Sequence, residues 1–125
     1  MEEDDPDLLA SALEVLEISE VARLAVPGAS TFTEAELAYA HSKSDPERRL
    51  AARLAAKRAA LRLLGEDLPL NGIEVLKGQG GPPQLRLSRQ ASDRLVERGA
   101  RQALVSLTHS QHHAAATVVL LRGGR

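Results

Sequence analysis

The stretch from Asp45 to Gly65 constrains the fold of this chain most, because its sequence, DPERRLAARLAAKRAALRLLG, predicts one long helix. A proline at the first helical position suits a helix start, and alanine, leucine and arginine are strong helix formers. Gly65 is a natural helix stop. We therefore predict a helix whose two ends are fixed locally, with the Asp45 side chain capping the free amides of the first turn.

One face of this predicted helix is apolar but contains a lysine. At about 100° per residue, four leucines fall on one stripe, namely Leu50, Leu54, Leu61 and Leu64. Lys57 falls inside the same stripe, with Arg53 one turn before it. Because an unpaired ammonium group is costly to bury, Lys57 must either extend to solvent or meet an anion. The two cations could together bind one polyanionic ligand.

The composition limits the classes of function that suit the chain. Its 125 residues are enough for one domain with its own core. The net charge is −1 and the only aromatic residues are Phe32 and Tyr39, so neither charge attraction nor base stacking favours nucleic-acid binding. There is no cysteine and no apolar run long enough to cross a bilayer, and the acidic beginning MEEDDPD is unlike a signal peptide. We expect a cytoplasmic protein with neither a nucleic-acid nor a membrane partner.

The remaining segments predict a domain that mixes helices and strands. We expect residues 1–10 to be an acidic, disordered N-terminus and residues 11–125 to form a single domain. Branched or alternating apolar residues predict strands over 11–19, 68–76, 84–88, 103–109 and 114–121, the last two joined as an antiparallel hairpin. Thr33 and Glu36 have capping-box spacing for a short helix, and Ser88 can cap another that stops at Gly99. The predicted class is α+β, with helices packed on a mostly antiparallel sheet.

Three segments, in this order and at this spacing, resemble the holo-[acyl-carrier-protein] synthase family of 4′-phosphopantetheinyl transferases. They are LEVLEIS from Leu13, the segment from Phe32 to Tyr39 with RLAAK from Arg53, and VSLTHS from Val105 followed by an AAATVV strand. The resemblance covers nearly the whole chain from about Leu13 onward. It implies a compact α+β fold, commonly a trimer with active sites between subunits. It also implies Mg²⁺-assisted transfer of the phosphopantetheine arm of coenzyme A to a serine of an acyl carrier protein.

The resemblance further implies roles for individual residues. Arg53 and Lys57 would contact coenzyme A phosphates, and His109 would line the same pocket from a strand end, which makes Lys57 and His109 the candidate catalytic residues. Family members hold Mg²⁺ with an aspartate in the first strand and a glutamate directly after the RFAAK lysine. Here Glu14 and Arg58 stand at those positions. Glu14 keeps an oxygen ligand, whereas Arg58 has no lone pair to offer, so we expect metal binding to be badly weakened.

Docking of the carrier protein is the second point at which the chain departs from the family. The helix after the first strand is basic in active members, but here it carries Glu17 and Glu20 with Arg23 as its only cation. Such a face would repel an acidic carrier. Two hypotheses therefore stand: a transferase of this family with weakened activity, or an inactive homologue that binds coenzyme A, a nucleotide or another protein. Arg58 could pair with nearby acids, or it could neutralise the coenzyme A pyrophosphate in place of the metal.

Overall fold

The computed structural model describes residues 7–24, 30–77 and 81–122, which fold into antiparallel strands and α-helices. The first half contains strand β1 (Leu8–Glu17), a 3₁₀ helix (Ile18–Arg23), helix α1 (Glu34–His41) and helix α2 (Pro46–Leu64). The second half contains a 3₁₀ turn (Leu70–Gly72), strands β2 (Ile73–Leu76) and β3 (Gln84–Leu87), helix α3 (Arg89–Glu97), and strands β4 (Gln102–His109) and β5 (His113–Leu121). The predicted α+β class is confirmed.

The strands form two separate antiparallel sheets. In the larger sheet β5 lies between β1 and β4, and β4 with β5 forms the predicted hairpin. The smaller sheet is the β2–β3 pair, so the strand predicted over 68–76 is reduced to four residues after a 3₁₀ turn. Strand β1 begins at Leu8, which pairs with Leu121, and the boundary predicted at residue 10 therefore falls inside a strand. Residues 1–6 of that predicted disordered segment lie outside the described residues.

Helix α2 is the centre of the core rather than an amphipathic helix on its surface. It packs against all three strands of the larger sheet and also against α1, β2 and α3. The predicted leucine stripe is buried, and so are six alanines on the other faces, Ala51, Ala52, Ala55, Ala56, Ala59 and Ala60. Small side chains let neighbouring elements approach the helix backbone, so α2 is enclosed on several sides.

Both ends of α2 lie at the predicted residues, but the predicted N-terminal cap does not form. Asp45 makes no capping hydrogen bond; its carboxylate instead accepts a hydrogen bond from Arg49 Nε at 3.0 Å. The predicted Asp45 cap is therefore wrong, and the bond from Arg49 lowers the pKa of Asp45. At the other end Gly65 has φ of 141°, and a Cβ there would meet the guanidinium of Arg94. Glycine is needed at this stop for its conformation, whereas the guanidinium of Arg94 is the end of a flexible side chain and could shift.

The other two α-helices begin at the caps that the sequence predicts. Thr33 Oγ1 accepts from Glu36 N at 3.2 Å and Glu36 Oε1 accepts from Thr33 N at 2.9 Å, which completes the capping box of α1. Ser88 Oγ accepts from Ala91 N at 3.1 Å to cap α3. None of the described helices is long and apolar enough to cross a membrane.

The face of the larger sheet that turns away from α2 is open and partly apolar. Leu13 and Val15 of β1 are 58% and 57% exposed, and Leu104 of β4 is 45% exposed. The register places these residues on the same face, because Leu13 lies opposite Thr117 and Leu104 lies opposite Val119, two positions further along β5. Exposed apolar side chains grouped on one sheet face are typical of a surface that another chain covers.

Candidate functional site

Lys57 is fully buried in the middle of α2, where it forms an ion pair with Glu36 of α1. Its Nζ lies 2.7 Å from Glu36 Oε1, and neither side chain is exposed. The same amine donates to the carbonyl oxygens of Ile73 at 2.6 Å and Leu70 at 3.2 Å. These three acceptors use all three N–H donors of the ammonium group. Of the two alternatives for Lys57, extension to solvent or an anionic partner, the structure has the second, and the chain itself supplies the anion.

Glu36 is the centre of a buried ionic network that the sequence analysis missed. Its Oε2 accepts from the backbone amide of Val75 at 2.8 Å, so the carboxylate bonds to α1, α2 and β2 at once. Beside it, Glu74 accepts from Thr33 Oγ1 and pairs with Arg86 at 2.7 Å. The bond from Thr33, followed by those from Arg86, lowers the pKa of Glu74. The capping-box pattern marks Glu36, but no local signal indicates that it is buried against Lys57.

The pKa of Lys57 is lowered by burial, which disfavours the charged amine, and Glu36 opposes that shift. In this conformation no donor of Lys57 is free for a phosphate. Direct contact between Lys57 and a coenzyme A phosphate would need Glu36 or one backbone carbonyl to give up its bond. That contact stays a prediction.

Arg53 lies one turn before Lys57 and, unlike Lys57, has a side-chain N–H group that makes no hydrogen bond. Its side chain is only 4% exposed, with Cζ 4.4 Å from the centroid of the Tyr39 ring. One terminal nitrogen donates to the carbonyl oxygen of Arg49 at 3.4 Å. Among the described residues, Arg53 Nε is the buried side-chain polar atom that has no hydrogen-bond partner. Burial lowers the pKa of Arg53. Its Nε–H group is available to bind an anion.

His109 is exposed at the end of β4, next to the turn of the hairpin. The backbone amide of Ile18 donates to the carbonyl of His112 at 2.8 Å and holds this turn against the first 3₁₀ helix. A cleft of about 490 Å³ opens there, lined by Glu17, Ile18, Ser19, Glu47, Gln111, His112 and His113. A cleft of about 560 Å³ lies between the same 3₁₀ helix and the start of α2. Neither is lined by Arg53, Lys57 or His109, so a shared role for these three residues stays a prediction.

Glu14 and Arg58, the two positions that the resemblance assigns to the metal, do share one small cleft. It has a volume of about 230 Å³ and is lined by Glu14, Arg58, Leu61, Arg62 and Glu66. Glu14 Oε2 lies 2.6 Å from a guanidinium nitrogen of Arg62, so its carboxylate is already neutralised. Arg58 pairs with Glu20 at 3.3 Å.

These residues do not fit a Mg²⁺ ion. Magnesium requires oxygen ligands in near-octahedral geometry, and this cleft offers two carboxylates, of which Glu14 is already paired with Arg62, beside two guanidinium groups. Across the described parts of the chain, no group of three or more His, Cys, Asp or Glu side chains is placed to hold a metal. Arg58 also offsets part of the negative charge of Glu20, whereas Glu17 stays exposed. Repulsion of an acidic carrier protein by this 3₁₀ helix stays a prediction.

Comparison with known proteins gives strong matches over most of the chain. No family model matches it. The holo-[acyl-carrier-protein] synthase of Moorella thermoacetica is 34% identical over 120 residues, which cover 90% of this chain and 94% of that protein. The solved structure of Mycobacterium tuberculosis acyl carrier protein synthase matches with a TM-score of 0.70 at 29% identity, covering 90% of this chain and 96% of that one. Helicobacter pylori holo-[acyl-carrier-protein] synthase in complex with coenzyme A shares the fold, with a TM-score of 0.72 at 18% identity over 89% of this chain and 99% of that one.

Proposed function

Because the chain belongs to the holo-[acyl-carrier-protein] synthase family, we propose that it transfers the 4′-phosphopantetheine arm of coenzyme A to a serine of an acyl carrier protein. The observation that carries this proposal is the 34% identity to the M. thermoacetica synthase, which extends over 94% of that protein. The coenzyme A bound to the H. pylori synthase, which has the same fold, supports coenzyme A as the substrate.

The proposed reaction is a phosphoryl transfer. The oxygen of the carrier serine attacks the β-phosphorus of coenzyme A and forms a new P–O bond. The bond from that phosphorus to the oxygen bridging the two phosphates breaks, adenosine 3′,5′-bisphosphate leaves, and the serine proton passes to a base. Negative charge is spread over the phosphoryl oxygens during transfer, so fixed cations close to them stabilise the transition state.

Arg53 is the predicted phosphate contact that the geometry supports best. Its unpartnered Nε provides a donor, and an anion there would meet other positive charges. The amines of Lys43 and Lys77 lie 5.4 Å and 6.0 Å from the centroid of the Tyr39 ring on which Arg53 stacks. We assign Lys57 a positioning role, because its amine holds Glu36 and two backbone carbonyls and thereby fixes the helix that carries Arg53.

A homotrimer with active sites between subunits is the assembly that we propose, as the family resemblance implies. The open sheet face that carries Leu13, Val15 and Leu104 supports self-association, since these side chains lose contact with water when a second chain covers them. In such an assembly His109, exposed at a strand end, is available to a pocket that a neighbouring subunit completes. This would place His109 beside coenzyme A without requiring it to approach Arg53 of its own chain.

The transferase proposal is tested by incubating the protein with coenzyme A, Mg²⁺ and a panel of apo acyl carrier proteins. Mass spectrometry then reports whether a carrier gains the phosphopantetheine group. A carrier whose acceptor serine is replaced by alanine is the matched control and should gain nothing. If calorimetry shows that the protein binds coenzyme A and yet no carrier is modified, transfer is not its function.

A further inference from the structure

The cleft between β1 and α2 is lined by two guanidinium groups, Arg58 and Arg62, and two carboxylates, Glu14 and Glu66, so its balanced formal charge does not favour a cation. Of the two carboxylates that line it, Glu14 is held by Arg62 at 2.6 Å, and Arg62 also donates to the carbonyl oxygen of Leu13 at 2.9 Å. This pair fixes Arg62 at the edge of the cleft. A divalent cation beside Glu14 would have to displace Arg62 and would then face two guanidinium groups that repel it, with Glu66 as the other carboxylate of the lining.

Arg58 is the cation of this cleft that is most easily released to a ligand. Within the described part of the chain its guanidinium makes one bond, to Glu20 at 3.3 Å, and both side chains of the pair are about one-third exposed, at 34% and 35%. Partly exposed ion pairs of this kind contribute little to stability. A guanidinium has five N–H donors in a planar fork that matches two phosphate oxygens, so a pyrophosphate can replace Glu20 and gain bonds that Glu20 does not make.

We propose that Arg58, supported by Arg62, binds the pyrophosphate of coenzyme A directly and replaces Mg²⁺ in this chain. The inference rests on the proposed function, since it assigns the phosphate-binding groups of the same substrate. It follows from the disagreement between the metal that the family uses and a cleft that cannot hold it. Binding of coenzyme A is then independent of divalent cations, which the family's aspartate and glutamate arrangement would not allow.

The inference is tested by titrating the full chain with coenzyme A by calorimetry, once in EDTA and once in millimolar Mg²⁺. We expect dissociation constants that agree within about twofold. The variant Arg58→Gln should bind coenzyme A about 10- to 100-fold more weakly in both buffers, as expected for loss of a charged hydrogen-bond donor. Arg89→Gln removes the same charge from an exposed position on α3, outside the cleft, and should bind as the parent chain does.

A second ligand identifies which phosphate Arg58 contacts. Dephospho-coenzyme A lacks the 3′-phosphate. If Arg58 contacts the pyrophosphate, Arg58→Gln should weaken binding of dephospho-coenzyme A and binding of coenzyme A by the same factor. An effect confined to coenzyme A would place Arg58 at the 3′-phosphate and overturn the assignment. Circular dichroism of each variant confirms folding, which we expect because Arg58 is partly exposed and makes one bond.

A double variant tests whether restoring the two carboxylates also restores a dependence on Mg²⁺. Glu14→Asp combined with Arg58→Glu supplies the two carboxylates that the family uses, and Mg²⁺ should then tighten coenzyme A binding at least tenfold. A double variant that stays indifferent to Mg²⁺ would overturn the inference, as would a parent chain that binds coenzyme A only with Mg²⁺. Failure of the parent chain to bind coenzyme A in either buffer would instead reject the proposed function itself.

Discussion

Replacement of Lys57 by methionine should destabilise the protein strongly, because it leaves the Glu36 carboxylate buried without its cation. Both side chains are completely buried and lie 2.7 Å apart, and the two carbonyls bound by Nζ also lose their donor. Removing one partner of a buried ion pair costs about 3–5 kcal/mol. Domains of this size have a total stability of about 5–15 kcal/mol, so the loss is a large fraction of it. The melting temperature should fall by about 10–20 °C.

The measurement is urea unfolding followed by far-UV circular dichroism, for the parent chain and for Lys57→Met. The matched control is Arg48→Met on the same helix, where a partly exposed cation should change stability by less than about 0.5 kcal/mol. The slope of the unfolding free energy against urea concentration should be the same for the parent chain and the variant. An equal slope would show that the substitution leaves the compactness of the folded and unfolded states unchanged.

A double-mutant cycle separates the ion pair from loss of packing. Glu36→Gln keeps an oxygen for the capping box of α1 but removes the charge that faces Lys57. The double variant should be destabilised by about 1–3 kcal/mol less than the sum of the two single variants, because the second change removes a charge already left unpaired. Effects that add to within about 0.5 kcal/mol would refute the proposal that these two charges stabilise each other.

Three further predictions concern other parts of the chain. The pKa of Asp67 is lowered from 3.8 to about 2 by the bond from Arg94, so its contribution to stability is present above pH 3.8 and is lost as the pH falls through 2. Urea unfolding of Asp67→Asn should therefore differ from the parent above about pH 4 and match it near pH 2, and a constant difference would contradict this. Thr33→Val removes both the cap of α1 and the bond to Glu74, and should lower the unfolding free energy by about 1–2 kcal/mol; an unchanged value would mean that the cap adds nothing. Leu104→Lys places a charge on the open sheet face and should reduce the mass measured by light scattering to that of one chain, whereas an unchanged oligomer would locate the interface elsewhere.

The elements that the sequence predicts correctly are those with signals close together in the chain. The limits of α2, the capping box of Thr33 and Glu36, and the final hairpin each depend on residues within a few positions of one another. The prediction of the Asp45 cap is wrong even at this range. Arg49 lies one turn away, and the carboxylate of Asp45 binds its guanidinium instead of the helix amides. Local patterns name the partners available to a side chain, but they do not decide which partner it takes.

The candidate site is less predictable because its contacts join distant segments. The cost of burying a charge leaves Lys57 either solvent or an anion as partner, and that rule does not say which of the two it takes or whether a ligand or the chain supplies the anion. Arg62 pairs with Glu14 from 48 positions away, a contact that depends on how β1 lies across α2. The same holds for the alanine faces of α2, whose burial is decided by elements that pack on them from elsewhere in the chain.

The bond between Glu36 and the amide of Val75 has a consequence for how the domain opens. This amide donates to a side chain on the short helix α1, so it cannot exchange its proton with solvent while that helix stays docked. Detachment of α1 breaks this bond and exposes the amide to solvent. The rate at which one backbone proton is replaced by deuterium records how often that part of the domain comes apart.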